Sequence, residues 1–233
     1  MQSRRCVIIP GYNEANNIRS VIADIRRYHP GDIAVIDDGS GDATSSLARE
    51  AGACVIRHPF NMGYGVALQT GYKYAVQKGY DTLVQIDGDG QHSARFIPEL
   101  FRAVEAGECD VAIGSRFQAA GGYRFGPLKT AGVCLFRQLI RLITGERITD
   151  PTSGYQCLNR RAFGFLTGDL FPCDYPDANV IIMLHRAGFT IREIPVEMVP
   201  NREGRSMHRG VLTIGYYCFT MFLSIFVTVL RKR

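Results

Sequence analysis

The chain has 233 residues, of which 46% are hydrophobic and 21% charged, and its net charge is +5. That composition argues against a disordered chain and suits one large α/β domain or two small ones. Lys and Arg are spread out, which argues against a nucleic-acid partner, and seven scattered cysteines with no C-x-x-C pair argue against a zinc site or a disulfide framework.

The N-terminal "MQSRRCVIIP" has too short an apolar part for a signal peptide, and with the unpaired cysteines it predicts a reduced, cytosolic compartment. "CVIIP" predicts a strand. A helix follows from about Ala15 to Tyr28, with Ile18, Val21, Ile22 and Ile25 on one face. "IAVID" is a second strand, and "GDATSSLAREAG" a short helix with Gly52 after its end. Next come "ACVIRH", a helix from about Gly63 to Lys78, and "TLVQID". A helix from about Ala94 to Ala106 leads to the strand "DVAIGS". Short apolar runs separated by helices of this length predict a Rossmann-like, mostly parallel sheet with helices on both faces.

The second half is less regular. A glycine-rich loop, Gly121 to Pro127, precedes a helix from about Leu128 to Ile143. Then follow "DPTSGYQCLNRRAF", "YPDANVIIMLHRAGF" and a strand in "TIREIPVEM". No internal repeat or low-complexity linker interrupts the chain. The expected division is a domain over residues 1–207 and an apolar C-terminal appendage over 208–233.

In such sheets ligands gather beyond the carboxyl ends of the strands. The unusual polar clusters "PGYNE", "DDGSGD", "DGDGQH" and "GSRF" all fall there. In "DGDGQH", Asp87, Asp89 and Gln91 share one parity, with neighbours roughly 6–7 Å apart along an extended chain. Two like charges together call for a cation. Their oxygen ligands favour Mg²⁺ or Mn²⁺ over zinc. A calcium loop is excluded, because His92 and Pro98 occupy the positions that need glycine and glutamate. "VIDDGSGD" repeats the pattern. Ser40 or Asp42 suits a helix N-cap, while Asp37 and Asp38 are placed to accept hydrogen bonds from a ribose or a base. In "PGYNE", Tyr12 could flank a base, and Asn13 or Glu14 could cap the next helix. "NMGYGVALQTG" is a weak fingerprint, and close helix packing explains Gly63, Gly65 and Gly71 equally well.

In this order and at these intervals, "PGYNE", "VIDDGSGDAT", "N-x-G-x-G-x-A-x-x-x-G", "QIDGDGQH" and "GSRF" resemble glycosyltransferase family 2, the nucleotide-diphospho-sugar enzymes of the GT-A fold. The resemblance covers about residues 5 to 205. "DGDGQH", "IGSRF", "DPTSGYQCLNRRAF" and "NREGRS" make the polyprenyl-phosphate sugar transferases (the dolichol-phosphate mannosyltransferase type) the most similar branch. The resemblance implies that Pro10, Tyr12, Glu14, Asp37 and Asp38 hold the nucleoside. It implies that Asp87, Asp89 and Gln91 hold the metal and diphosphate, and that Arg116, Arg202 and Arg124 or Lys129 meet phosphate groups. Two positions depart from the pattern. Where the branch has a lysine near Met207 the chain reads "RSMHRG", leaving Arg205 or His208, and Asp177 stands where many relatives carry glutamate.

A divalent ion would stabilise the departing diphosphate. A lipid phosphate acceptor is already ionised and needs no base, only arginines to steer it. A sugar hydroxyl would need a carboxylate, with Asp150 first and Asp177 second. His92 reads as a supporting group. The family implies single displacement with inversion at the anomeric carbon. The expected activity is therefore transfer of a hexose from a GDP- or UDP-sugar to a polyprenyl phosphate. Its rivals are transfer to a hydroxyl of a glycan or lipid-linked sugar in cell-envelope polysaccharide synthesis, a nucleotidyltransferase, and a non-catalytic nucleotide-binding module.

From Val211 to Leu230 no residue is charged, and basic residues flank both ends. Three readings stand: a helix lying in the membrane surface on the cytoplasmic side, a transmembrane span, or a helix at an interface with another copy. Thr213, Tyr217, Thr220, Ser224 and Thr228 form a polar stripe that could face the domain or a second copy.

Overall fold

A computed structural model describes residues 3–118, 126–198 and 211–230. The first half runs β1 (Arg5–Gly11), α1 (Ile18–Tyr28), β2 (Asp32–Asp37), α2 (Thr44–Glu50), β3 (Cys54–Arg57), α3 (Tyr64–Lys78) and β4 (Thr82–Gln85). A 3₁₀ turn (Ala94–Phe96) leads into α4 (Ile97–Glu105) and β5 (Val111–Ser115). The remainder is α5 (Pro127–Thr144), β6 (Gln156–Asn159), α6 (Arg160–Phe165), α7 (Ala178–Arg186), β7 (Ile191–Pro195) and α8 (Val211–Leu230).

The described strands form one seven-stranded sheet in the order β3-β2-β1-β4-β6-β5-β7. β1 pairs in parallel with β2 and β4, β2 with β3, and β5 with β7. Only β6 is reversed, antiparallel to both β4 and β5. Side chains along a strand alternate between faces, and the core divides accordingly. Cys6, Ile8, Ala34 and Ile36 join the layer under α3, α5, α6 and α7. Val7, Ile9, Ile33 and Val35 join the layer under α1, α2 and α4. The buried face of α1 is Ile18, Val21, Ile22 and Ile25, as its spacing predicts.

The α3 glycines have separate reasons. A Cβ on Gly71 would lie 2.7 Å from Ile8 Cδ1, so close approach of helix to sheet requires glycine there. A Cβ on Gly65 would lie 2.3 Å from the Cys173 carbonyl oxygen, which pins the start of α3 to the segment before α7. Gly63 has a φ of +101°, open to glycine but strained for other residues.

Reversal of β6 was not legible as a strand in "DPTSGYQCLNRRAF", and it matters for the site. Six strands run the same way and end on one edge. A reversed β6 begins on that edge, so residues 150–155 arrive beside the ends of β4 and β5. The register pairs Gln85 with Gln156, which brings the residues just after β4 against those just before β6.

The C-terminal helix packs on the domain. Tyr217, Met221 and Ile225 are buried in the same layer as Phe136 of α5 and Ile181 of α7. The expected polar stripe faces the domain at two points, Tyr217 and Ser224. The opposite side leaves Tyr216, Phe219, Leu223, Phe226 and Leu230 exposed. Among the described residues no helix is long and apolar enough to cross a membrane.

Candidate active site

The strand ends deliver the predicted clusters to one edge, but the two acidic pairs are partnered differently. Asp37 is fully buried at the end of β2. Its Oδ1 accepts from the Ser40 N–H at 2.9 Å, its Oδ2 from the Ser45 hydroxyl, and Arg57 Nε lies 3.7 Å away. Asp38 Oδ1 accepts from the Met62 N–H at 2.9 Å and lies 2.7 Å from His58 Nδ1, while Oδ2 accepts from the Gly63 N–H at 2.8 Å. Both carboxylates thus tie the loops around β2 together, and contact with a nucleoside would be an additional duty.

The helix caps also differ from expectation. Asn17 precedes α1 and Ala43 precedes α2, neither with a side-chain cap. Asn13 sits at φ +56° and its Oδ1 accepts from the Gly41 N–H, while Ser40 Oγ accepts from the Asn13 N–H at 2.9 Å. Asp42 accepts from the N–H groups of Ala15 and Thr44. These residues stitch the β1 and β2 loops to each other. Tyr12 beside them is 48% exposed, and Pro10 is buried in β1.

Asp87 and Asp89 follow β4. Asp87 Oδ1 accepts from the Tyr64 hydroxyl at 2.8 Å, and Oδ2 lies 3.5 Å from His92 Nε2. Burial works to raise Asp87, but the His92 and Tyr64 hydrogen bonds and the Arg116 charge outweigh it and hold this carboxyl below its ordinary value. Asp89 moves the other way, raised by burial and then by the charge of Asp87, against the help of Gln91. Glu14 is raised too, by burial and by Asp89 and Asp87, although Asn17 Nδ2 donates to it at 2.9 Å. Like charges therefore crowd the turn. Gln91 donates its amide to Asp89, so in this arrangement it supports the carboxylate.

Among the described residues no group of three or more His, Cys, Asp or Glu is arranged to hold a metal ion. Two carboxylates offer only part of an oxygen shell, which fits an ion that is completed by a diphosphate. A Cβ on Gly154 would lie 2.7 Å from Asp87 Oδ2 and 2.8 Å from the Tyr64 hydroxyl, so the reversed β6 leaves a cradle that any side chain would fill. His92 Nδ1 is buried without a hydrogen-bond partner.

Arg116 follows β5 and meets the β6 approach. Its Nε and Nη2 each donate to Asp150 at 2.6 Å, and Nη2 also donates to the Thr152 carbonyl at 3.0 Å and hydroxyl at 2.8 Å. Burial works against the guanidinium charge, but the Asp150 hydrogen bonds and charge prevail and keep it above its ordinary value. Asp150 is fully buried with both oxygens on Arg116, and Glu193 of β7 accepts from its N–H at 2.7 Å. The carboxylate expected first as a base is thus bound to a cation, and taking a proton there would break a bidentate pair.

Asp177, expected second, stands before α7. It feels Arg116, Asp87 and Asp150, and burial above all raises it to about 6 although the Tyr217 hydroxyl donates to it and Arg116 lowers it. Tyr64 and Tyr217 are the site residues that sequence reasoning missed. Tyr64 lies in a glycine segment read for packing, and Tyr217 lies in an apolar run where only its polar spacing marked it. Arg124, Arg202, Arg205 and His208 lie outside the described residues, as does the side chain of Lys129.

A profile of the family described as "Glycosyl transferase family 2" matches residues 6–166. The polyprenol monophosphomannose synthase of Mycolicibacterium smegmatis is 32% identical over 219 residues, covering 89% of this chain and 82% of that protein. The dolichyl-phosphate hexose transferase of Haloferax volcanii is 30% identical over 200 residues, covering 84% and 82%. Among solved structures, glucosyl-3-phosphoglycerate synthase from Mycobacterium tuberculosis, in complex with Mn²⁺, UDP and phosphoglyceric acid, superposes with a TM-score of 0.76. It is 22% identical, with 99% of this chain and 80% of that one covered, a likeness that bears out the GT-A fold.

Proposed function

This chain belongs to glycosyltransferase family 2, and from that membership and its site we propose that it transfers a hexose from a GDP- or UDP-sugar to a polyprenyl phosphate, by a metal-dependent, inverting displacement. The observation that carries the reading is the contrast inside one turn. Asp87 is held ionised while Asp89 is pushed up by its neighbour, beside a cradle that glycine keeps open. Such a turn gains from a divalent cation and a diphosphate together. Asp87 and Asp89 would hold Mg²⁺ or Mn²⁺, with Gln91 bracing Asp89, and the ion would stabilise negative charge on the leaving diphosphate.

In the displacement an oxygen of the acceptor phosphate bonds to the anomeric carbon as the bond from that carbon to the diphosphate breaks. The nucleoside diphosphate departs with the electron pair, so no proton need move. Arg116, fixed by Asp150, supplies positive charge beside the reacting groups, with Arg202 and Arg205 as further phosphate contacts. The names of the relatives support a polyprenyl or dolichyl phosphate as acceptor. The exposed aromatic side of α8, with basic residues flanking it in the sequence, suits the cytoplasmic surface of a membrane, where that acceptor resides.

The test is incubation with labelled nucleotide sugars, Mg²⁺ or Mn²⁺, and polyprenyl phosphate. Labelled product that partitions into organic solvent, and is lost with chelator, is expected. A second reading, transfer to a sugar hydroxyl, is favoured by one observation: Asp177 near 6 has the poise of a general base. Product on hydroxyl acceptors alone would replace the first reading with the second.

A further inference from the structure

Asp177 occupies the N-cap position of α7, where an aspartate ordinarily accepts from a first-turn N–H. Here it caps nothing. Asn179 takes over, its Oδ1 accepting from the Asp177 N–H at 3.0 Å and from the Val180 N–H at 2.9 Å. Released from capping, the Asp177 carboxylate turns to α8, and its Oδ2 accepts from the Tyr217 hydroxyl at 2.7 Å.

Tyr217 is itself held. Tyr175 meets its ring edge-on at 5.0 Å, and Phe136 of α5 does so at 5.9 Å. Burial pushes its phenol far up, so it remains a donor at any working pH. Two turns along the same face of α8, Ser224 accepts from Asn179 Nδ2 at 2.6 Å. The helix therefore grips the first turn of α7 twice, once at the residue that caps it and once at the carboxylate that faces Arg116 and Asp87.

We infer that α8 completes the transfer site, with Tyr217 as a positioning residue that fixes the Asp177 carboxylate facing Arg116. This rests on the transferase reading above and adds a residue to it. One side of α8 is exposed and aromatic while the other holds an active-site carboxylate, so the element suited to the lipid surface also sets the geometry of transfer.

Two measurements test the inference. Tyr217→Phe keeps the ring packing and removes one donor. Turnover should fall about tenfold, the loss of one hydrogen bond to a charged group, while KM for the nucleotide sugar stays within about twofold. Combined with Asp177→Asn, the two losses should not multiply, because both act through one contact. Unchanged turnover in Tyr217→Phe, or multiplying losses, would overturn the inference. The second measurement needs no acceptor. Carboxyl-carbon NMR of Asp177 should titrate at higher pH in Tyr217→Phe, since the facing Arg116, Asp87, Asp150 and Tyr64 are untouched. An unmoved titration would likewise overturn it. Absence of turnover in the unaltered chain, with the titration shifted, would instead reject the transferase reading.

Discussion

Two strands of this protein end in paired acids, and the pairs behave oppositely. At the end of β2, Asp37 and Asp38 are buried among protein donors that satisfy both carboxylates. At the end of β4, Asp87 and Asp89 crowd each other, and the charge of one raises the other. The first pair holds loops together, whatever else it binds. The second has donors too, but like charge crowds it, and a cation would relieve it. The same letters in sequence carry either role, and the donors around them decide which.

The largest effect that would break this contrast is loss of transfer at the second pair. Asp89→Asn should lower turnover about 10²-fold or more, since a metal-stabilised leaving group is worth several kcal/mol. Thermal unfolding should stay level or rise slightly as repulsion is relieved. A turnover near normal would put Asp89 with the scaffold. The mirror change, Asp38→Ala, should cost about 2–4 kcal/mol in denaturant unfolding, because the Met62 and Gly63 N–H groups lose a buried charged acceptor. Little destabilisation there would remove the distinction from the other side.

Ligand binding sharpens the comparison further. Mn²⁺ alone should barely shift the unfolding temperature, since the turn offers only part of a shell. Mn²⁺ with nucleoside diphosphate at a hundred times its Kd should add about 2.7 kcal/mol. An equal shift from metal alone would mean a complete protein site. The smallest expected effect concerns a satisfied acid elsewhere. Burial works to raise Asp110, but donors on Thr190, Asn159 and Arg161 outweigh it and hold its carboxyl at about 2. Its stabilisation is thus present above its unfolded value near 4 and lost as pH falls through about 2. Asp110→Asn should lower stability at neutral pH and flatten the decline between about pH 4 and pH 2.

Much of the first half was legible because its signals are local. The spacing of Ile18, Val21, Ile22 and Ile25 fixes one buried helix face, and apolar runs ending in Asp37 or Asp87 mark strand ends. The roles of Asn13 and Ser40 were misjudged because they bond across to each other's loops, and Asp42 adds a bond to Ala15 to its local one with Thr44, so no short window along the chain contains all the partners. The later parts of the site depend on greater separations. Asp150 meets Arg116 at a distance of 34 residues in sequence, and Tyr217 meets Asp177 at 40. In β6 only Cys157 and Leu158 are apolar, between Gln156 and Asn159, too weak a run to show a strand. Its direction is set by the neighbours that receive it.

That reversed strand also imposes a timetable on synthesis. β5 leaves the ribosome before either of its sheet neighbours, β6 and β7, exists. A nascent chain ending near residue 150 can hold β1 to β4 in register, yet it must carry Val111–Ser115 as an apolar segment with no partner on either edge. Only when Gln156–Asn159 emerges and slots into the gap can the two halves of the sheet become one. Until then the unpaired segment is where a stalled or truncated product would be drawn into clumps.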